Sequence, residues 1–118
     1  METHSVKGIN SYHAHVYYGG STRAAAARLR DQLGARFAVE LGRWHEGPVG
    51  PHPLAMYQVS FTTDVFASLV PWLMLNRVGL TILVHPNTGD EVADHAANPL
   101  WLGEVLPLDI AYLRASTS

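Results

Sequence analysis

Apolar and polar residues alternate with period two in several stretches of this 118-residue chain, and recur at helical spacing in two others. Tyr12 to Tyr18 is aromatic and β-branched and predicts a strand, ended by Gly19-Gly20. Ser21 is placed to cap a helix running to about Leu33. Its buried stripe is Ala25, Leu29 and Leu33, with Arg23 and Arg30 toward water and Gly34 as its stop. Arg36 to Leu41 alternates again, with Phe37, Val39 and Leu41 on one side, and predicts a second strand. A glycine- and proline-rich loop follows over 42–53. Leu54 to Phe61 predicts the third strand. Asp64 can cap a second helix with Phe66, Leu69, Val70 and Leu73 on its apolar face, and Pro71 inside it predicts a kink or break. Leu80 to His85 predicts a fourth strand, 86–89 a turn, and 90–97 a short helix stopped by Asn98-Pro99. The stretches 100–108 and 110–113 then cover a sheet edge or a partner.

The order β-α-β-β-α-β with a C-terminal extension defines an α+β, ferredoxin-like architecture, an antiparallel sheet with both helices on one face. One domain spans 1–118, with 1–10 a loose tail. In this order the first strand lies between the third and fourth, and we expect it parallel to the third and antiparallel to the fourth. Side chains alternate faces along each strand. Ala14, Val16 and Tyr18 therefore share the helix-covered face with Ala55, Tyr57, Val59, Phe61, Leu80, Ile82 and Val84. His13, His15 and Tyr17 share the open face with Met56, Gln58, Ser60, Thr81, Leu83 and His85. His13, His52 and His85 then fall at one end of the sheet, His15 lies one pleat further in, and His95 can fold back over that end.

Composition changes this picture in three ways. With 47% apolar and 15% charged residues the chain can bury a core. A net charge of -2 and a pI near 6.3 argue against a nucleic-acid partner. The chain has no cysteine, which removes disulfides, thiolate nucleophiles and zinc-thiolate sites. No apolar run nears the roughly 20 residues a membrane span needs, and the first residues do not look like a signal peptide, so a cytoplasmic protein is expected.

Seven histidines are present, and histidine is both the commonest metal ligand and the proton carrier of neutral pH. His4 in the tail and His45 beside Glu46 read as incidental. The other five converge by topology. Imidazole with carboxylate or water suits Fe(II), Mn, Ni, Cu or Zn. Glu40, Glu46 and Asp94 are candidate carboxylate ligands, and a three-histidine site is equally open.

At these residues the chain resembles a known family. Tyr12-His13-Ala14-His15-Val16-Tyr17-Tyr18, Val49-Gly50-Pro51-His52-Pro53, Leu83-Val84-His85-Pro86-Asn87-Thr88-Gly89-Asp90, Asp94-His95 and Trp101-Leu102-Gly103 are similar to the fungal and bacterial DOPA 4,5-dioxygenase family, over about Tyr12 to Leu108. The resemblance implies extradiol cleavage of a catechol by O2 with non-haem Fe(II). It implies His15, His52 and His85 near the metal, with His13 and His95 as ligands or proton shuttles. Tyr17, Trp44 and Trp101 would then stack on the substrate ring, Arg43 would take a substrate carboxylate, and a homodimer or the C-terminal extension would cover the open face. Two readings of other classes stand beside it: a non-catalytic small-molecule-binding module, and a zinc hydrolase.

Overall fold

The computed structural model describes residues 2–117. Its elements in chain order are β1 (Ser11–Tyr18), a 3-10 turn (Gly20–Thr22), α1 (Arg23–Arg36), β2 (Glu40–Leu41), β3 (Ala55–Thr62), α2 (Thr63–Asn76), β4 (Ile82–Pro86), α3 (Glu91–Ala96), β5 (Leu100–Leu102) and α4 (Ile110–Thr117). The strands form one sheet in the order β2-β3-β1-β4-β5, antiparallel at every pairing. This is the expected α+β, ferredoxin-like arrangement, with an added edge strand. None of the described helices is long and apolar enough to cross a membrane.

The alternation allots the faces as expected. Ala14, Val16 and Tyr18 of β1, Tyr57, Val59 and Phe61 of β3, and Leu80, Ile82 and Val84 in and before β4 pack with Ala26, Leu29 and Leu33 of α1 and Leu69, Val70 and Leu73 of α2. Tyr57 anchors this layer further by donating its hydroxyl to the Ala26 carbonyl. On the opposite face Tyr17, Met56 and Leu83 form a smaller cluster, covered by Val49, Trp101, Leu106 and Leu108. The cover of the open face thus comes from the chain's own 42–54 loop and its C-terminal extension.

Several local expectations change. β1 runs antiparallel to β3, not parallel: Ser11 pairs with Thr62 and Tyr18 with Ala55. The reason is connectivity. Each helical crossover returns the chain in the same direction, and the link between β2 and β3 reverses it, so both neighbours of β1 oppose it. Residues just before β3 therefore lie at the far end of β1. α1 continues through Gly34 to Arg36 and leaves only Glu40 and Leu41 in the β2 ladder. Gly34 serves close packing instead of a stop, since a Cβ there would lie 3.2 Å from Leu41 Cδ1. Ser21 falls in the 3-10 turn, and Thr22 is the α1 N-cap. Arg30 is half-buried, its guanidinium 5.0 Å from the Tyr57 ring centre. Asp64 sits in the first turn of α2 with Thr62 as N-cap, and α2 passes through Pro71 unbroken. Asp90 caps α3, accepting from the Ala93 N–H. β5 ends at Gly103, whose φ of +94° and Cβ position 3.0 Å from Thr81 Oγ1 both demand glycine.

Candidate metal centre

Four separate pieces of chain deliver histidines to one place. β1 supplies His13 and His15 on its open face, and β4 supplies His85 from the position directly opposite His13. α3 brings His95 back over the sheet. His52 arrives by a route that the strand argument did not foresee. Because β3 begins at the far end of β1, the loop before it doubles back, held by the paired Val49–His52 and His45–Met56 bridges and by the Asp109 N–H on the Pro51 carbonyl. That turn carries His52 over Tyr17 to the histidines.

The result is a tight group. The rings of His15 and His52 lie 4.1 Å apart between centres, as do those of His85 and His95. His15 Nε2 is 3.1 Å from His85 Nε2, and the His13 ring is 5.2 Å from that of His85. His15, His52, His85 and His95 are buried, while His13 is half-buried. All five border one cavity of about 260 Å3, together with Gln58 and, from α4, Tyr112 and Leu113. Ligand nitrogens come within 4.8 Å of one another in two triads, His13–His15–His85 and His15–His52–His95, with His15 in both. His52 and His85, paired by the resemblance, thus fall in different triads.

Hydrogen bonds fix two of the tautomers. The Pro86 carbonyl accepts from His85 Nδ1 at 2.9 Å, and the Glu91 carbonyl from His95 Nδ1 at 2.7 Å. A carbonyl can only accept, so both rings carry their proton on Nδ1 and keep a lone pair on Nε2. His15 is then left with a problem. If its Nε2 donates to His85, its buried Nδ1 is an acceptor that no donor meets; if the proton sits on Nδ1, two lone pairs face each other at 3.1 Å. A cation between the two Nε2 atoms removes the lone-pair repulsion and leaves the buried His15 Nδ1–H without a hydrogen-bond partner. Two nitrogens bound to one ion at about 2.1 Å and roughly 90–110° to one another lie about 3.0–3.4 Å apart, so the observed spacing suits a shared metal. The residues fit a metal on these grounds.

The electrostatics agree. Burial, then the neighbouring imidazoles His52, His85, His13 and His95, holds His15 well below its ordinary pKa. Burial holds His52 and His85 at about 4. His13 is lowered too, by burial and by His95, against the opposing pull of Glu91 and Asp94. These four rings are therefore neutral at pH 7, the form that binds metal. Burial also raises the pKa of the Tyr17 phenol, which pairs with His52 Nδ1 at 2.6 Å.

The carboxylates stay outside the triads. Glu46 is exposed and paired with Arg23, and Glu40 is exposed on β2. Asp94 is buried, but its oxygens accept from the Thr88 N–H and hydroxyl, which ties the turn after β4 to α3 and holds His95 over the sheet. Of the aromatic candidates, Tyr17 and Trp101 stack at 6.1 Å on the histidine side. Trp44 packs on Tyr57 on the helix-covered side, under the Arg23 guanidinium. Arg43 is exposed and outside the cavity wall. Sequence reasoning missed Glu91, Tyr112 and Leu113. Glu91 was findable from its place four residues before His95, whereas the sequence assigns 110–113 to a cover over a sheet edge or a partner without placing Tyr112 and Leu113 at the histidines.

A ferredoxin-like sheet with a histidine-lined cavity on its open face defines the class of protein. Residues 12–112 match the model of the Dopa 4,5-dioxygenase family, and the chain belongs to that family. It is 40% identical to a DOPA 4,5-dioxygenase of Amanita muscaria over 89% of its own length, and 36% identical over 92% to an uncharacterized 21.2 kDa protein of Botryotinia fuckeliana. It spans only 50% and 65%, respectively, of those relatives' lengths. A candidate dioxygenase from Nostoc punctiforme PCC 73102, known from a crystal structure, is 55% identical and superposes with a TM-score of 0.95, covering 97% of this chain and 99% of that one.

Proposed function

We propose that this chain is an extradiol dioxygenase that opens the ring of a catechol with O2, using non-haem Fe(II) held by its histidines. The convergence of five histidines in one cavity carries the reading, and family membership supports it. A bound Fe(II) would supply a single coordination sphere for both catechol oxygens and O2, making substrate and oxidant neighbours.

The chain's own residues do the rest. His15, His52 and His95 form the triad that is buried throughout and would hold the metal. The Glu91 carbonyl orients His95, and Tyr17 orients His52, donating or accepting at Nδ1 as the tautomer requires. His13 sits half-buried on the same wall and, being neutral at pH 7, can take the second catechol proton and return it to the departing oxygen. Trp101, on the wall of a neighbouring cavity that it shares with His95, offers flat surface to an aromatic ring, and Tyr17, buried beneath it, holds it in place. The short His15–His85 contact favours a second ligand set, the triad of His13, His15 and His85, in which His95 moves protons instead.

Anaerobic loading with Fe(II), then a catechol panel under air, tests the function. Oxygen uptake with a yellow ring-opened product is expected. Binding without oxygen uptake would mark a non-catalytic module, and hydrolysis with zinc and no oxygen a hydrolase. Metal content separates the ligand sets: His95→Ala should lose the metal and His85→Ala keep it, with the reverse favouring the second set.

A further inference from the structure

Resting on the ring-cleavage reading above, we infer that Tyr112 of α4 is a substrate-contacting residue, whose ring covers the ring of a catechol held at the histidines. Besides the imidazoles, Tyr112 is the one aromatic side chain among the described residues that borders the histidine cavity of about 260 Å3. Tyr17 is buried beneath Trp101, and Trp101 faces the neighbouring cavity beyond His95. The other polar side chains on the histidine wall offer no ring, and several are engaged already. Gln58 donates to the Ser60 hydroxyl, Asn87 donates to the Ser11 hydroxyl, and Asp94 accepts from Thr88. A catechol gives its two oxygens to a metal and its flat ring to the wall alongside, so an aromatic wall suits it.

The fold does not depend on the phenol. Tyr112 is 50% exposed, while its neighbour Leu113, at 3%, anchors α4. The helix is further fixed by the Asp109 carboxylate, which accepts from the Tyr112 N–H at 3.1 Å, and by the Asp109 N–H, which donates to the Pro51 carbonyl at 2.8 Å. None of these contacts uses the aromatic ring. The hydroxyls of Tyr17, Tyr18 and Tyr57 each have a hydrogen-bond partner, whereas that of Tyr112 meets none among the described residues. Yet the ring sits against the turn that carries His52. A Cβ on Gly50, two residues before His52, would lie 3.6 Å from Tyr112 Cε1. A ring held at the cavity wall by a fixed backbone loses little freedom when a second ring is laid on it, and both lose exposed apolar surface.

Anaerobic calorimetry on the Fe(II)-loaded protein tests this with two bidentate oxygen ligands, catechol and acetohydroxamate, of which only the first has a ring. Tyr112→Ala should weaken catechol by about tenfold and leave acetohydroxamate affinity, metal content and melting temperature unchanged. Tyr112→Phe keeps the ring and should bind catechol within about twofold of the parent. Tyr112→Leu keeps an apolar side chain against Gly50, so it holds α4 in place, and it should show the same loss as alanine. Unchanged catechol affinity in the alanine and leucine variants overturns the inference. So does a parallel loss of both ligands or of thermal stability, which would place the effect on the metal site or the fold. A phenylalanine variant as weak as alanine overturns it too, by moving the contact from the ring to the hydroxyl. If the parent binds catechol but takes up no oxygen, the ring-cleavage reading falls and these affinities still decide the role of Tyr112; if it binds none, both fall.

Discussion

The two faces of the central sheet are built from the same strands and have almost nothing else in common. On one, Ala14, Val16, Tyr57, Val59, Ile82 and Val84 meet two helices in a dry hydrocarbon layer. On the other, the residues between them place His13, His15 and His85 against His52 and His95. The first face gains free energy from burial. The second spends it, because neutral rings are crowded at 3–4 Å and one buried nitrogen is left unmet. The contrast teaches that period-two alternation lets one strand carry both tasks without compromise, so long as register is kept. A one-residue slip would send imidazoles into the core and valines into the site.

That division can be broken experimentally. The largest effect is expected from His15→Ala, the ring shared by both triads. Metal affinity should fall by more than about a hundredfold, while the melting temperature of the metal-free protein holds or rises. Elemental analysis and calorimetry check the two halves, and a parallel loss of metal and stability would erase the distinction between faces. The converse is Leu69→Ala on the helix-covered side, where a fully buried leucine is truncated. It should cost about 2–5 kcal/mol in denaturant titration and leave the metal affinity of the folded protein unchanged.

Acid sharpens the comparison next. His52 and His85 sit at about 4 in the folded chain, below the ordinary value of 6.5, so the unfolded chain binds more protons between those two pH values. Their contribution is fully present above about pH 6.5 and is lost as pH falls toward 4, at up to about 1.4 kcal/mol per pH unit for each ring. Denaturation of the metal-free protein across this range should show the decline, and His52→Ala should flatten it. The smallest effect is expected from Tyr17→Phe, which removes the phenol on His52. Stability should drop by about 0.5–1.5 kcal/mol and metal affinity by about tenfold.

How much of this was legible beforehand follows from the kind of information each feature needs. The faces of β1, β3 and β4 were readable because alternation is local and unambiguous in Tyr12–Tyr18 and Ala55–Phe61. The five histidines followed from the faces and from connectivity. What failed was direction: the expected parallel pairing of β1 and β3 placed His52 at the right end of the sheet for the wrong reason. Its true path depends on a loop folding back through bridges at Val49 and His45, which no periodicity encodes. Gly34 misled because a glycine looks the same whether it ends a helix or lets a strand approach it. The carbonyls that fix His85 and His95 were equally hidden, since every residue has one.

The contact between His15 and His85 joins positions 70 residues apart. The triad of His15, His52 and His95 is likewise spread along the chain, so an ion it holds finds its site only after β1, the returning loop and α3 have assembled, and its contribution is absent from the folding transition state. Interactions of that kind lengthen the lifetime of the folded chain without hastening its formation. Stripping the metal should therefore speed unfolding and leave the refolding rate where it was.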